Sequence, residues 1–117
     1  GLTAAEIELR FPVEFARWNR DRLAPDFAYP HGESRAGFAA RVARGLAQML
    51  TRLDTPAAGA QSALLVAHRG VIRVIVRSLV PAEPLIELGS IQILAREGES
   101  PWRVELLDFT EHLARLG

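Results

Sequence analysis

The amino-acid sequence predicts an α/β fold, and three stretches of the chain carry that prediction. The continuous apolar run Ala63–Ala67 is typical of a strand that is covered on both faces of a sheet. The stretch Ser34–Leu53 has the period of an amphipathic helix, and the segments Ser90–Arg96 and Trp102–Asp108 have the pattern of two strands joined by a turn. Such a mixture of elements favours helices layered on a sheet.

Length and composition predict one globular domain over residues 1–117. A chain of 117 residues with 49% hydrophobic residues can bury a single core. The 14 basic residues balance the 14 acidic ones, which argues against a nucleic-acid partner. No apolar run reaches membrane-spanning length, and the chain contains no cysteine for disulfides, thiolate catalysis or cysteine-ligated zinc. We therefore expect a cytoplasmic protein with no membrane partner.

The N-terminal third predicts two short helices followed by a long connection. Thr3 and Glu6 have the spacing of a capping box, which predicts a helix that ends just before Pro12. Pro12 is well suited to begin a second helix, in which we expect Trp18 to pack against apolar neighbours. The stretch Asn19–Glu33 contains prolines, a glycine and mixed charges without a period, so it is predicted to be irregular.

The remaining elements follow from local signals. The helix Ser34–Leu53 begins at a serine that can cap it, and Thr55–Gln61 is predicted to be a polar surface turn. Val71–Leu79 is rich in β-branched residues but is predicted to be a helix that returns across the sheet and stops before Pro81. Thr110–Leu116 is predicted to form a last helical turn.

A candidate functional residue, His68, stands where the predicted strand Ala63–Ala67 ends. In open α/β sheets, ligands bind outside the carboxyl ends of the strands, and a helix N-terminus there offers unpaired N–H groups to an anion. Arg69 and Gly70 are placed to form that turn. The residues alone leave two interpretations open, since a histidine after an apolar run is more often a packed or hydrogen-bonded core residue than a catalyst.

Five sequence blocks, in this order, carry a resemblance to a known family. The blocks are GLTAAEIELRFPVEFARW, YPHGESRAGFAARV, LLVAHRGVIRVIV, GSIQIL and WRVELLDFTEHL. Together they cover nearly the whole chain, and their order resembles that of the histidine phosphatase superfamily, in its phosphoglycerate-mutase-like branch. The resemblance implies a three-layer α/β/α sandwich, of which this chain is expected to be the C-terminal portion and therefore incomplete.

The resemblance also implies a chemistry. In such proteins a histidine attacks phosphorus, and the resulting phosphohistidine is hydrolysed or passes its phosphate to a second hydroxyl. His68 matches the second histidine of the pocket, which donates hydrogen bonds to the phosphoryl oxygens together with the backbone N–H groups of Arg69 and Gly70. The expected partner is a small phosphorylated substrate, and no metal or other cofactor is expected.

The chain departs from the family pattern at its start. The Arg-His-Gly motif that carries the nucleophile, a further phosphate-binding arginine and an acidic proton donor are absent from these 117 residues. The triplet at His31 is not expected to replace that motif, because Pro25, Pro30 and a polar loop precede it in place of an apolar strand. His31, Glu33 and Ser34 are instead expected to line a substrate loop, although Glu33 and Ser34 equally fit a purely helix-capping role.

Two classes of function follow from this pattern. The first is an enzyme, a phosphomonoester hydrolase or a related mutase whose nucleophile lies outside this chain. The second is a non-catalytic remnant that binds an anion or a partner protein. In either case we expect the isolated chain to be inactive. Because the edge of the Ala63–Ala67 strand is open, we also expect the isolated chain to be marginally stable, aggregated or dimerised through that edge.

Overall fold

The computed structural model describes residues 1–55 and 62–115. Within those ranges the chain forms four α-helices, one two-stranded sheet and a short 3-10 helix. The elements are α1 (Ala4–Arg10), α2 (Pro12–Asp21), α3 (Arg35–Leu53), α4 (Arg69–Leu79), β1 (Ile91–Ala95), β2 (Arg103–Phe109) and the 3-10 helix Glu111–Arg115. This mixture of helices and strands fits the predicted α/β class.

The chain divides into two compact units, and the division falls inside α3. Unit 1 is Gly1–Ala40, and unit 2 begins at Arg41. Among the described residues, the buried side chains of unit 2 include Val42, Leu46, Val76, Val80 and Ile86, and Phe27 is buried in unit 1. The prediction of a single domain remains a prediction.

The N-terminal helices begin where the sequence predicts, but α2 continues to Asp21, so the prediction that the irregular connection starts at Asn19 is wrong. The Thr3 hydroxyl accepts a hydrogen bond from the Glu6 N–H at 3.3 Å, and the Glu6 carboxylate accepts one from the Thr3 N–H at 2.8 Å. This reciprocal pair satisfies two N–H groups that the first turn of α1 would otherwise leave open. Pro12 is the first residue of α2, where its missing N–H costs nothing, and α1 contacts α2.

Helix α3 confirms the predicted amphipathic helix. The Ser34 hydroxyl accepts a hydrogen bond from the Gly37 N–H at 3.0 Å, which fixes the start of the helix. Val42 and Leu46, one turn apart on one stripe, are buried. Of the predicted polar turn Thr55–Gln61, residues 56–61 lie outside the described residues.

The predicted strand Ala63–Ala67 is wrong in this structure. Residues 62–68 have no regular secondary structure, and the side chains of Leu64 and Val66 are 92% and 87% exposed. A strand exists only through hydrogen bonds to a neighbour, and no other strand pairs with this segment within residues 1–55 and 62–115. The described residues do not cover the apolar side chains of Leu64 and Val66, and the expectation that a neighbouring strand covers them stays a prediction.

The two C-terminal strands form the predicted antiparallel hairpin. Ile91 pairs with Phe109 and Ala95 with Arg103, so five residues of β1 span seven of β2. The extra residues are accommodated by irregularities in the register, and Asp108 has a φ of 53° near one of them. Among the helices that the structure describes, none is long and apolar enough to cross a membrane.

Candidate functional site

His68 occupies the N-cap of α4. Its backbone is extended, with φ −72° and ψ 149°, and its carbonyl accepts a hydrogen bond from the Ile72 N–H at 3.1 Å. The imidazole is exposed and makes no capping hydrogen bond to the helix. Because the backbone alone performs the capping role, both ring nitrogens remain available to a ligand.

The first turn of α4 offers hydrogen-bond donors beside His68. The N–H groups of Arg69, Gly70 and Val71 precede the first hydrogen bond within the helix, which begins at Ile72. This turn contains no acidic residue, and Arg69 is exposed without an ion pair to any residue that the structure describes. A cation at the positive end of a helix dipole is unfavourable unless an anion is also present. The arrangement therefore suits an anionic ligand.

The predicted substrate loop is a tight turn in unit 1. His31 has a φ of 61°, and the Gly32 N–H donates to the Tyr29 carbonyl at 2.8 Å. A Cβ at Gly32 would lie 3.2 Å from that carbonyl oxygen, so the turn leaves little room for a side chain there. Ala28 and Ser34 then pair as an isolated antiparallel bridge, which closes the loop at its base.

The predicted site residues fall into two groups. His31 and Glu33 are exposed in the loop of unit 1, where Ser34 is engaged in capping α3. His68, Arg69 and Gly70 stand together at the start of α4 in unit 2. The capping role predicted for Ser34 is therefore confirmed.

His112 has a structural environment. Its ring stacks on Phe109 with centroids 5.6 Å apart, and its Nδ1 is buried without a hydrogen-bond partner in the described part of the chain. No group of three or more His, Asp or Glu side chains within the described ranges could hold a metal ion.

Sequence analysis missed an aromatic cavity in unit 1. Trp18 packs on Phe15, as expected, but it also lines a cavity of about 370 Å³ together with Phe27 and Tyr29. The spacing of Phe15 and Trp18 on α2 places both rings on one side of the helix, which was the available signal. Nothing local predicts that Tyr29, eleven residues beyond Trp18, completes the cavity wall.

The comparison with protein families confirms the resemblance. The model of the histidine phosphatase superfamily (branch 1) matches residues 1–110, so the chain belongs to that superfamily. Membership suggests phosphatase or mutase activity. No curated protein and no solved structure gives a significant match.

Proposed function

We propose that this chain provides part of the active site of a phosphomonoester hydrolase that acts through a phosphohistidine intermediate. The nucleophilic histidine is supplied by residues outside these 117. The observation that carries the proposal is the exposed imidazole of His68, which lies at the N-cap of α4 without a capping hydrogen bond. Membership of the superfamily supports it.

The reaction assigns His68 to charge stabilisation. The nucleophilic imidazole nitrogen forms a bond to phosphorus while the bond from phosphorus to the ester oxygen breaks, and the leaving oxygen takes a proton from an acid. Water then attacks the phosphohistidine and releases inorganic phosphate. In both steps His68 and the N–H groups of Arg69 and Gly70 donate hydrogen bonds to the phosphoryl oxygens, where negative charge is concentrated.

The loop of unit 1 contributes substrate contacts in this proposal. His31 and Glu33 present exposed polar side chains in a turn with a defined backbone, so they can contact the part of the substrate that is not transferred. The Ser34 side chain caps α3, and in this role it holds the loop in place.

The test measures phosphate release from an aryl phosphate by the protein with its full natural sequence. His68→Ala removes one donor to the transition state, and we expect turnover to fall by about two to three powers of ten. His112→Ala is the control, because His112 stacks within the fold, and its turnover should stay within a few-fold of the parent. Thermal unfolding of each variant separates a lost donor from lost folding.

Two further measurements complete the experiment. Rapid denaturation during turnover should trap phosphate on a histidine, and the 117-residue chain alone should release none, because the covalent route needs the missing nucleophile. Transfer of the phosphate to a second hydroxyl of an added diol, in preference to water, would instead indicate a mutase. Equal rates in both variants and the parent would exclude the role proposed for His68.

A further inference from the structure

The aromatic cavity of unit 1 has the size and chemistry of a small-molecule site. Its volume of about 370 Å³ lies within the range of ligand pockets in proteins. The walls are formed largely by Ile7, Phe15, Trp18, Phe27 and Tyr29. Apolar walls of this kind bind ligands by removing apolar surface from water.

The rings of the cavity are held in fixed orientations. Phe15 and Trp18 stack with centroids 5.9 Å apart, and Phe27 meets Tyr29 edge to face at 5.4 Å. The Trp18 indole N–H donates to the Tyr29 hydroxyl at 2.7 Å, which joins the two pairs. Phe27 is only 9% exposed and anchors the set. A site whose rings are already positioned loses little conformational entropy when a ligand enters.

The cavity wall and the substrate loop belong to the same backbone segment. Tyr29 and Pro30 line the cavity, and His31 follows them directly. The Arg35 N–H donates to the Phe27 carbonyl at 3.0 Å, so the segment that carries the rings is tied to the start of α3. A group in the cavity would therefore lie beside the loop that is proposed to contact substrate.

Two charged residues also line the cavity. They are Glu14 and Arg17, which have opposite signs and both lie on α2. An occupant without net charge at its buried end is compatible with this balance, whereas a multiply charged group placed among the rings would lose hydration without full compensation.

We propose that this cavity binds the aromatic ring of a small molecule. Aromatic rings suit the site because edge-to-face and offset stacked contacts with the existing rings add to the burial of apolar area.

The binding test follows the indole N–H signal of Trp18 by NMR while 1-naphthol is added to the protein with its full natural sequence. The Trp102→Phe variant identifies which indole signal belongs to Trp18 among those of the present chain. We expect a saturable shift of the Trp18 signal with 1-naphthol and none with inorganic phosphate alone. Cyclohexanol, which has a ring without a π system, should bind more weakly.

A matched pair of variants on α1 tests the location. Ala4 lines the cavity and is exposed, whereas Ala5, the next residue of the same helix, is exposed and does not line it. Ala4→Phe should fill the space and weaken 1-naphthol binding by about tenfold or more, which corresponds to roughly 1.4 kcal/mol. Ala5→Phe should bind as the parent does, and both variants should retain the unfolding temperature of the parent.

Absence of a saturable shift in the parent, or equal effects of the two variants, would overturn the inference whatever the activity. Binding of 1-naphthol by a protein that releases no phosphate would overturn the proposed function and leave the ring-binding site standing.

Discussion

The chain contains three histidines, and each has a different environment. His31 has a left-handed backbone in an exposed turn, His68 caps a helix with its backbone and leaves its ring in solvent, and His112 stacks on Phe109. A histidine that contacts a substrate needs an accessible ring, which His31 and His68 have. The stacked ring of His112 with its buried Nδ1 is suited to packing.

Glu6 makes the stability of α1 depend on pH. Hydrogen bonds from Thr3, first from its backbone N–H and then from its hydroxyl, lower the pKa of Glu6 below the ordinary value of a glutamate. A lowered pKa in the folded state stabilises the folded state above the unfolded pKa, and that stabilisation is lost as the pH falls through the folded pKa. We therefore expect α1 to loosen in acid, as amide exchange of its N–H groups would measure.

A neighbouring residue provides the control for this prediction. Glu6→Gln should weaken the protection of α1 at neutral pH and remove most of its acid dependence, whereas Glu8→Gln, on the same helix, should behave as the parent does. An unchanged acid dependence in Glu6→Gln would show that another group is responsible.

The hairpin shows how one element accommodates unequal strands. Because seven residues of β2 face five of β1, the ladder is interrupted, and backbone groups at the interruption need other partners. The Asp108 N–H donates to the Gln92 side chain at 2.6 Å, and the Asp108 carboxylate accepts from the Glu87 N–H at 2.7 Å. Side chains thus accept hydrogen bonds from backbone N–H groups that have no partner in the ladder.

This arrangement predicts the effect of changing Asp108. In the Asp108→Ala variant, an alanine, which has no polar side-chain group, must adopt a φ of 53°. The variant also leaves the Glu87 N–H without its acceptor. The two effects together should reduce the free energy of unfolding by about 2 kcal/mol. Asp108→Asn keeps an acceptor and tolerates the left-handed backbone, so its urea unfolding curve should lie close to that of the parent. Equal losses in both variants would contradict this account.

The starts of the helices were predictable to within two residues, whereas the end of α2 was missed by three residues and the predicted strand at Ala63–Ala67 does not form. The start of α1 is encoded by Thr3 and Glu6 and the start of α2 by Pro12, all of which act on neighbouring residues. A strand depends on a partner that is distant in sequence, so an apolar run such as Ala63–Ala67 does not specify its own structure. The hairpin was predictable because its two strands are joined by a short turn.

In the candidate site, too, features set by neighbouring residues were predictable, and features set by residues distant in sequence were not. The position of His68 ahead of a helix was predictable because Arg69, Gly70 and the following residues set that helix locally. The aromatic cavity was not, since it requires Trp18 of α2 to meet Tyr29 across an irregular connection whose path no local rule gives.

Exposed apolar surface on residues 62–67 predicts self-association of the isolated 117-residue chain. The backbone of this segment pairs with no strand among the described residues, and its side chains Leu64 and Val66 are exposed. The segment can therefore pair with the same segment of another copy of the chain. Replacing both side chains by lysine should shift the sedimentation velocity of the chain towards that of a monomer. Lysines at Leu9 and Val13, which are 83% and 76% exposed on other elements, are the control and should leave the association intact. A parent chain that is monomeric at all concentrations would refute this prediction.

The ion pair between Asp54 and Arg96 has a consequence for the order of folding. It joins the residue after α3 to the residue after β1, at 2.5 Å across 42 positions of sequence, and the Arg96 guanidinium also lies over the Trp102 ring. The helices and the hairpin form from near neighbours, whereas this pair must wait until the long intervening loop has closed, at an entropic cost that grows with loop length. We therefore expect the pair to form after the folding transition state, so that Asp54→Asn should raise the unfolding rate and leave the folding rate unchanged, as stopped-flow measurements would show.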